Sequence, residues 1–495
     1  MARVFGLSKS KLMAFRQCPR RLWLSIHEPD CVPADEVDDT ALAIGNEVGV
    51  VARRGWSEGV LIAPEGPLQE ALRQTEEALA LRRPLFEATV QHDGMLVRAD
   101  VLIPGPRGRA FDLVEVKSSA SVKDYHIEDI AVQAWTFAAA GIPLKRRILQ
   151  HINGRFIYPG GGCYEEVRPD GTVNGLFVQQ DVTHAARSLE AEVPSWIAKA
   201  RATLAGPMPE TTDGCDDPYP CPYQAFCFAG GPEYPLSCLP RIRAQTIESL
   251  SGAGYQDVRD LPRGILANPV QEWVRKVTCS GRPDHRPGAA AALAALSYPR
   301  HYIDFETIQF AVPIWRGTRP YEQLPFQWSC HREDADGSLN HQDFLDLSGE
   351  DPTRAFAESL IATLGTKGAV FVYNQGFEGG VIRSLATRYP DLAGPLLALF
   401  DRMVDLLPLT REHYYHPAMK GSWSIKAVLP TIAPDLDYAD LPEVQDGGAA
   451  QGAYREAIDP VTPPARRQAL DQALKRYCGR DTEALVRLAA FLGRC

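Results

Sequence analysis

Acidic residues recur in this chain at spacings that place carboxylates side by side, the arrangement that holds a divalent metal ion against a phosphodiester. Asp100 lies in LVRADVLI, and Glu115 and Lys117 lie in FDLVEVKSS. Far downstream, Asp304 and Glu306 stand in YIDFET, with Tyr477 and Asp481 near the C-terminus. Side chains alternate between the two faces of a strand. In VRADVLI, Val97, Ala99, Val101 and Ile103 therefore share one face and Asp100 takes the other. In FDLVEVKSS, Phe111, Leu113, Glu115 and Lys117 share a face, so an acid and a base project next to each other. Magnesium takes a few hard oxygens and keeps several waters, and Asp100 and Glu115 could supply those oxygens. Lys117 could hold the attacking water or stabilise charge developing on the phosphate. A lone E-x-K is more often a salt bridge on a partly exposed strand. The Asp on the preceding strand and the helix that follows shift the balance towards a site.

That helix is read over HIEDIAVQAWTFAAAG, where Gln133 and Phe137 stand at i, i+4 and share a face. In the second group, Asp304 and Glu306 at i, i+2 project from one strand face. An apolar strand in VFVYNQGFEGGVIRSLA runs into Asn374 and then Glu378 at a helix start. The last helix carries Leu470, Leu474, Tyr477, Asp481, Leu485 and Leu488 along one stripe. A carboxylate among leucines is costly unless paired or metal-bound. Satisfaction at a helix end is the blander explanation.

The elements that must position these groups fall into three regions. A length of 495 residues predicts about two to four domains. Residues 1–240 read as mixed strands and helices with a cysteine-rich close. Residues 241–295 read as a helical connector, with a weak helix-hairpin-helix pattern in IESLSGAGYQDVRDL and a flexible hinge in GRPDHRPGAA. Residues 296–495 read as a second α/β unit. Apolar content of 45% and charged content of 23% are those of ordinary globular protein. No stretch reaches the roughly 18–20 apolar residues of a membrane span, and MARVFGLSKSKLMAFRQCPRRLW lacks the pattern of a signal peptide. A cytoplasmic location is therefore expected, with no membrane partner. Eleven cysteines then point to thiols or metal ligands rather than disulfides. The net charge of -10 is unusual for a nucleic-acid binder, although a phosphate-binding strip can be local. No G-x-x-x-x-G-K-[ST] is present, which excludes a P-loop motor.

Asp100, then Glu115-x-Lys117, then Gln133, resembles the signature of the PD-(D/E)XK nucleases of the RecB-like group. The opening LSKSKLMAFRQCPRRLW looks like the start of that group. Phe137 replaces its usual Tyr. Gly49 in GNEVG stands where the group often carries a His metal ligand, with Glu47 and Glu87 as nearby carboxylates. Cys18, Cys215, Cys221 and Cys227 resemble the one-plus-three cysteines of iron–sulfur members of the group. The resemblance implies a 4Fe–4S cluster that staples the two ends of the domain. By count alone, four thiolates fit zinc equally, and Cys238 is an alternative ligand. The C-terminal residues resemble a DEDD-type 3′–5′ exonuclease, Tyr variant, on the RNase H-like fold. Asp304, Glu306 and Asp481 match family acids, Glu378 stands where the family has Asp, and Tyr477 would orient the attacking water. Two ions about 3.5–4 Å apart are implied there.

Together with GSWSIKAVLP and DFETIQFAVPIW, these features resemble bacterial proteins that join the two domains. The implied fold class is α/β: a PD-(D/E)XK nuclease fold with an Fe–S staple, a helical connector and an RNase H-like fold. The implied activity is that of a Mg2+- or Mn2+-dependent DNA nuclease in repair, recombination or defence against foreign DNA. A scaffold with inactive sites and an RNA-trimming enzyme are the alternatives. DNA as single strands or duplex ends is the expected partner, with RNA, a helicase or a defence-system component as further classes.

Overall fold

The computed structural model describes residues 6–32, 39–63, 66–106, 109–167, 173–212, 214–436, 438, 440–441 and 443–494. Residues 1–5, part of the stretch read for a signal peptide, lie outside them. The chain is mixed α/β and divides into two compact units. The first holds residues 1–229 together with 310–321, and the second holds 230–309 and 322–495.

In the first unit, an antiparallel meander of β1 (Leu85–His92), β2 (Met95–Pro104) and β3 (Phe111–Lys117) forms the middle of the sheet. Helix α4 (Asp124–Ala139) then carries the chain over to β4 (Leu144–Ile152), which runs parallel to β3. Strand β5 (Phe177–Asp181) closes that edge antiparallel to β4. The expected strand face forms only in part: Val97 and Ala99 pack in one core together with Leu102, whereas Val101 and half-buried Ile103 pack with Phe86 and Val114 in another, and Asp100 is half-buried where the faces change over. Three helices matter to the site: α1 (Lys9–Gln17), α2 (Pro19–His27) and α3 (Asp39–Arg53). The core joins Val97, Leu113, Ala131, Phe137 and Trp196. Ala311 and Val312, from the returning segment, pack with Phe156, Tyr158 and Leu176 of this unit.

The second unit is built on a five-stranded sheet in the order β8-β7-β6-β9-β10. The strands are β6 (Arg300–Ile308), β7 (Leu324–Glu333), β8 (Leu339–Leu345), β9 (Ala369–Val372) and β10 (Met403–Asp405). Strands β6, β7 and β8 are antiparallel, and β9 and β10 run parallel to β6 and to each other. Strand β6 alternates as its sequence predicts. Ile303 and Phe305 pack with Phe356 and Leu360 on one face. Tyr302 packs with Leu485 and Leu488 of α7 (Pro464–Leu492) on the other, the face that Asp304 and Glu306 share. The α7 leucines Leu470, Leu474, Leu485 and Leu488 are all buried, each stabilising by about 1.5–3 kcal/mol relative to exposure.

Residues 241–295 do not form a separate connector. Leu250, Val258, Leu261, Trp273 and Val277 belong to the same core as Tyr302 and Phe371. The weak helix-hairpin-helix pattern does not form that motif: after Ala244–Gly252 the chain makes a single 3-10 turn at Val258–Asp260. The expected hinge is pinned, because Asp284–His285 pairs antiparallel with Tyr414–Tyr415. Glycine and proline density signals flexibility there, but aromatic packing at Tyr414 and Tyr415 overrides it.

Candidate metal and catalytic sites

In the second unit, four acids arrive from three elements. Asp304 and Glu306 project from β6, opposite Ser329 and Gln327 of β7. Glu378 sits in the first turn of α5 (Gln375–Arg388). Asp481 faces them from α7, one turn after Tyr477. Asp405, at the end of β10, accepts hydrogen bonds from the backbone N–H groups of Asn374 and Gln375, both 3.0 Å, and so anchors the start of α5. Gly379 allows that helix to press on Phe400, whose ring a Cβ would meet at 2.6 Å. Local chemistry thus fixes where Glu378 points.

The electrostatics of this group are adverse. Burial, followed by repulsion from Asp481, Glu306 and Glu378, pushes Asp304 well above the usual carboxylate range. Glu306 is raised well above it too, by burial and then Asp481. Burial and the nearby Asp405 push Glu378 up to about 8, and its Oε2 has no hydrogen-bond partner. Burial raises Asp481 as well, but Tyr438, donating to its Oδ1 at 2.5 Å, limits the rise to about 6. Lys426, on α6 (Ile425–Ile432), lies over the rings of Tyr438 and Tyr477 at 5.3 and 5.5 Å. Tyr477 is buried, and burial with Asp481 and Glu306 nearby keeps its hydroxyl protonated. Sequence reading missed Lys426, Tyr438 and Cys478. Lys426 lies within GSWSIKAVLP, and Cys478 stands three residues before Asp481 on the same helix; Tyr438 leaves no local signal.

In the first unit, the predicted Asp100, Glu115, Lys117 and Gln133 do meet, together with two residues the sequence reading missed. Glu115 accepts from Lys117 Nζ at 2.8 Å, from Gln133 Nε2 at 2.6 Å and from Lys9 Nζ at 2.7 Å. Both lysines also pair with Asp129 of α4. Asp100 accepts from the backbone N–H of Val116 at 2.6 Å. Lys9 reaches the site because Ser8 caps α1 at its N-terminus, which leaves Lys9 as the first helical residue. Asp129 could have been found four residues before Gln133, on the same helix face. Burial opposes ionisation of Glu115, but Lys117 and Lys9 outweigh it and hold the carboxyl below the usual range. Burial and Glu115 push Asp100 up to about 8.

Phe137 is fully buried in the core, so the position that carries Tyr in the resembling group serves packing here. Gly49, in α3, faces open space: a Cβ there would meet nothing within 4 Å. It lines a cavity of about 540 Å³ together with Glu87, Asp100 and Glu115. Glu87 holds a left-handed φ of 58° and pairs with Arg53 at 3.5 Å. Glu47 does not line that cavity and lies close to Tyr164 instead.

Cys18, between α1 and α2, comes close to Cys215, Cys221 and Cys227, each near enough to influence its neighbours electrostatically. Cys31, which the sequence reading did not single out, packs in the same group. Cys238 instead belongs to the second unit, where its carbonyl lies against Gly421. Hydrogen bonds join the same two ends of the unit. Gln17 donates to the carbonyl of Tyr219 at 2.7 Å, and Trp23 to that of Gly206 at 3.1 Å. Among the described residues, the only three or more potential ligands whose donor atoms all lie within 4.8 Å of one another are Asp304, Glu306 and Cys478. No helix among the described residues is long and apolar enough to cross a membrane.

Residues 301–424 match the family described as Domain of unknown function (DUF2779). The match includes Asp304, Glu306 and Glu378 and ends before α7, which carries Tyr477 and Asp481. No curated protein matches the chain at a significant level.

Proposed function

We propose that the second unit is a metal-dependent 3′–5′ exonuclease acting on DNA, and that the chain as a whole is a nuclease. One observation carries the reading: buried Glu306, Glu378 and Asp481 converge with half-buried Asp304 beside Tyr477 on one face of a sheet ordered β8-β7-β6-β9-β10, where burial and mutual repulsion outweigh the help of Tyr438 and Lys426. That order is the one expected of an RNase H-like fold. Packed carboxylates of this kind are tolerated when divalent cations offset them. Bound magnesium or manganese would supply Lewis-acid stabilisation of the attacking and leaving oxygens. The protein's own groups do the rest. The four carboxylates would hold the ions, and the Tyr477 hydroxyl would orient the attacking water. Tyr438 keeps Asp481 ionised near neutral pH, and Lys426 contributes positive charge on the exposed side.

In the first unit, the β1-β2-β3 meander with α4 crossing to a parallel β4 supports a PD-(D/E)XK reading. There Asp100 and Glu115 would hold the metal, Lys117 would face the phosphate and Gln133 would fix Glu115. Cys18, Cys215, Cys221 and Cys227 would hold a 4Fe–4S cluster, whose role would be to close the unit; their proximity across the two ends of the unit supports a shared ligand set. A second reading of this unit is nucleic-acid binding without cleavage. It is favoured by two lysines already neutralising Glu115 and Asp129 and by the open space at Gly49.

The test is incubation of the full chain with 3′- and 5′-end-labelled single- and double-stranded DNA and RNA, in manganese or in chelator. Stepwise shortening from the 3′ end, lost in chelator and slowed in Tyr477→Phe with metal uptake intact, is the expected result. Absence of cleavage in any divalent metal would leave binding as the function. Iron analysis of anaerobically purified protein, compared with Cys221→Ala, tests the cluster; zinc without iron would reject it.

A further inference from the structure

Cys478 is fully buried, and no part of the exonuclease reading uses it. It follows Tyr477 and stands three residues before Asp481, so α7 turns its side chain toward β6. Its Sγ lies 3.7 Å from the Asp304 carbonyl oxygen and 3.9 Å from Asp304 Oδ2. Donor atoms of Asp304, Glu306 and Cys478 all fall within 4.8 Å of one another, close enough for one ion to touch all three. A second feature points into the same place: Glu378 Oε2 is buried without any hydrogen-bond partner, and its carboxyl acts on both Asp304 and Glu306. Hydrogen bonding between a thiol and carboxylate at 3.9 Å would stabilise little and would not account for an orphaned acid beside it.

We propose that Cys478 is a metal ligand, so that one cation position is a mixed carboxylate–thiolate site selective for borderline transition-metal ions over magnesium. The proposal rests on the exonuclease reading of the same carboxylates and refines it. Hard oxygen sets suit magnesium, whereas a thiolate draws zinc, cobalt and, more weakly, manganese. On coordination the S–H bond breaks, the electron pair stays on sulfur as the donor to the ion, and the proton passes to water. The ion's double positive charge offsets two of the three negative charges that the thiolate, Asp304 and Glu306 carry together. Zinc held there would be a tight competitor of the activating ion, which makes the site responsive to free zinc.

The test uses the full chain, stripped with chelator and titrated with cobalt. The cysteines of the first unit are further thiol donors that cobalt could meet, so the reading is the difference between wild type and Cys478→Ser, with every other thiol present in both. A thiolate-to-cobalt charge-transfer component lost in Cys478→Ser, lost in Asp304→Asn and kept in Cys221→Ala is the expected result. Zinc should inhibit manganese-supported 3′ digestion of the wild type at concentrations about tenfold lower than those needed for Cys478→Ser, as one soft ligand is lost. Identical spectra for wild type and Cys478→Ser, with cobalt bands that still respond to Asp304→Asn, would overturn the thiolate ligand and leave the exonuclease reading standing. Cobalt uptake indifferent to Asp304→Asn would overturn both. A thiolate component without any nuclease activity would keep the metal site and reject the exonuclease.

Discussion

The two acidic groups of this chain differ in how their charge is balanced. In the first unit, Glu115 and Asp129 are matched by Lys9 and Lys117, and Gln133 takes a remaining carboxylate oxygen. In the second, Asp304, Glu306, Glu378 and Asp481 face one another, with Lys426 and Arg480 as nearby cations and Tyr438 as a donor, too little to hold Asp304, Glu306 and Glu378 in the usual carboxylate range. The first group can hold its shape with its own counterions. The second has no comparable pairing of each acid with a basic side chain among the described residues. Similar residue types and spacing in sequence thus conceal opposite electrostatic designs, and chemical dependence on metal should follow the second.

The sharpest break between them is Asp304→Asn set against Glu115→Gln in the full chain. Removing the carboxylate at Asp304 should lower stepwise 3′ digestion by about 10²–10³-fold, the scale of losing one preorganised charge stabiliser. Glu115→Gln should leave that digestion unchanged. Equal losses in both variants would mean that one site, not two, does the work.

Stability against pH should separate the units next. Glu378 is raised from 4.5 to about 8 and Asp481 from 3.8 to about 6. A carboxyl that keeps its proton longer in the folded state stabilises fully below its unfolded pKa, and that stability is lost as pH rises through the folded value. With chelator present, the second unit should therefore weaken from about pH 4.5 to pH 8. The loss should reach a few kcal/mol, because each tenfold change in proton affinity is worth roughly 1.4 kcal/mol. Manganese should restore it at pH 8. In the first unit Asp100, raised to about 8, gives a loss over the same rise in pH, but Glu115 is depressed, so its contribution is present above the usual carboxylate range and disappears as pH falls; loss on the acid side is what marks this unit. Hydrogen exchange followed peptide by peptide reads the two units in one sample. A second unit whose protection rises with pH in chelator would contradict the uncompensated charge.

Lys117→Met should destabilise the first unit by about 2 kcal/mol, less than a fully buried pair because the side chain is partly exposed. Lys9 still bonds Glu115 and Asp129 in that variant. The double change Lys9→Met with Lys117→Met should cost more than the sum, and simple additivity would show that the four charges do not act as a network. The smallest expected effect is a gain. Gly49→His places an imidazole in the open space beside Asp100 and Glu115, and should raise retention of manganese by this unit in equilibrium dialysis. It also relieves a helix-interior glycine, worth a few tenths of a kcal/mol because His is itself a weak helix former. No change in metal retention would favour the binding-only reading of the first unit.

Much of this geometry is legible in the sequence because it rests on local periodicity. The alternation of YIDFET places Asp304 and Glu306 on the face of Tyr302, and the leucine stripe of α7 carries Tyr477 and Asp481 inward. Lys9, Tyr438 and Lys426 are not legible, because each meets its partner across many residues of chain and no spacing rule connects them. The stretch 241–295 misleads for a related reason. Glycine and proline report local freedom, whereas Trp273 and Val277 are held by residues more than a hundred positions away, Tyr414 and Trp423 among them.

Residues 310–321 belong to the first unit, although they sit between two strands of the second. On the ribosome this imposes an order. When residue 229 emerges, the first unit still lacks Ala311 and Val312, and Phe156, Tyr158 and Leu176 wait for them. At about 5–20 residues per second, the passage from residue 229 to residue 321 lasts roughly 5–20 s. During that interval β6 of the second unit is also made, without β7 to pair with. The two halves therefore finish folding in overlapping time rather than one after the other, and a nascent chain arrested near residue 300 should be far more protease-sensitive in its first 229 residues than one arrested beyond residue 360.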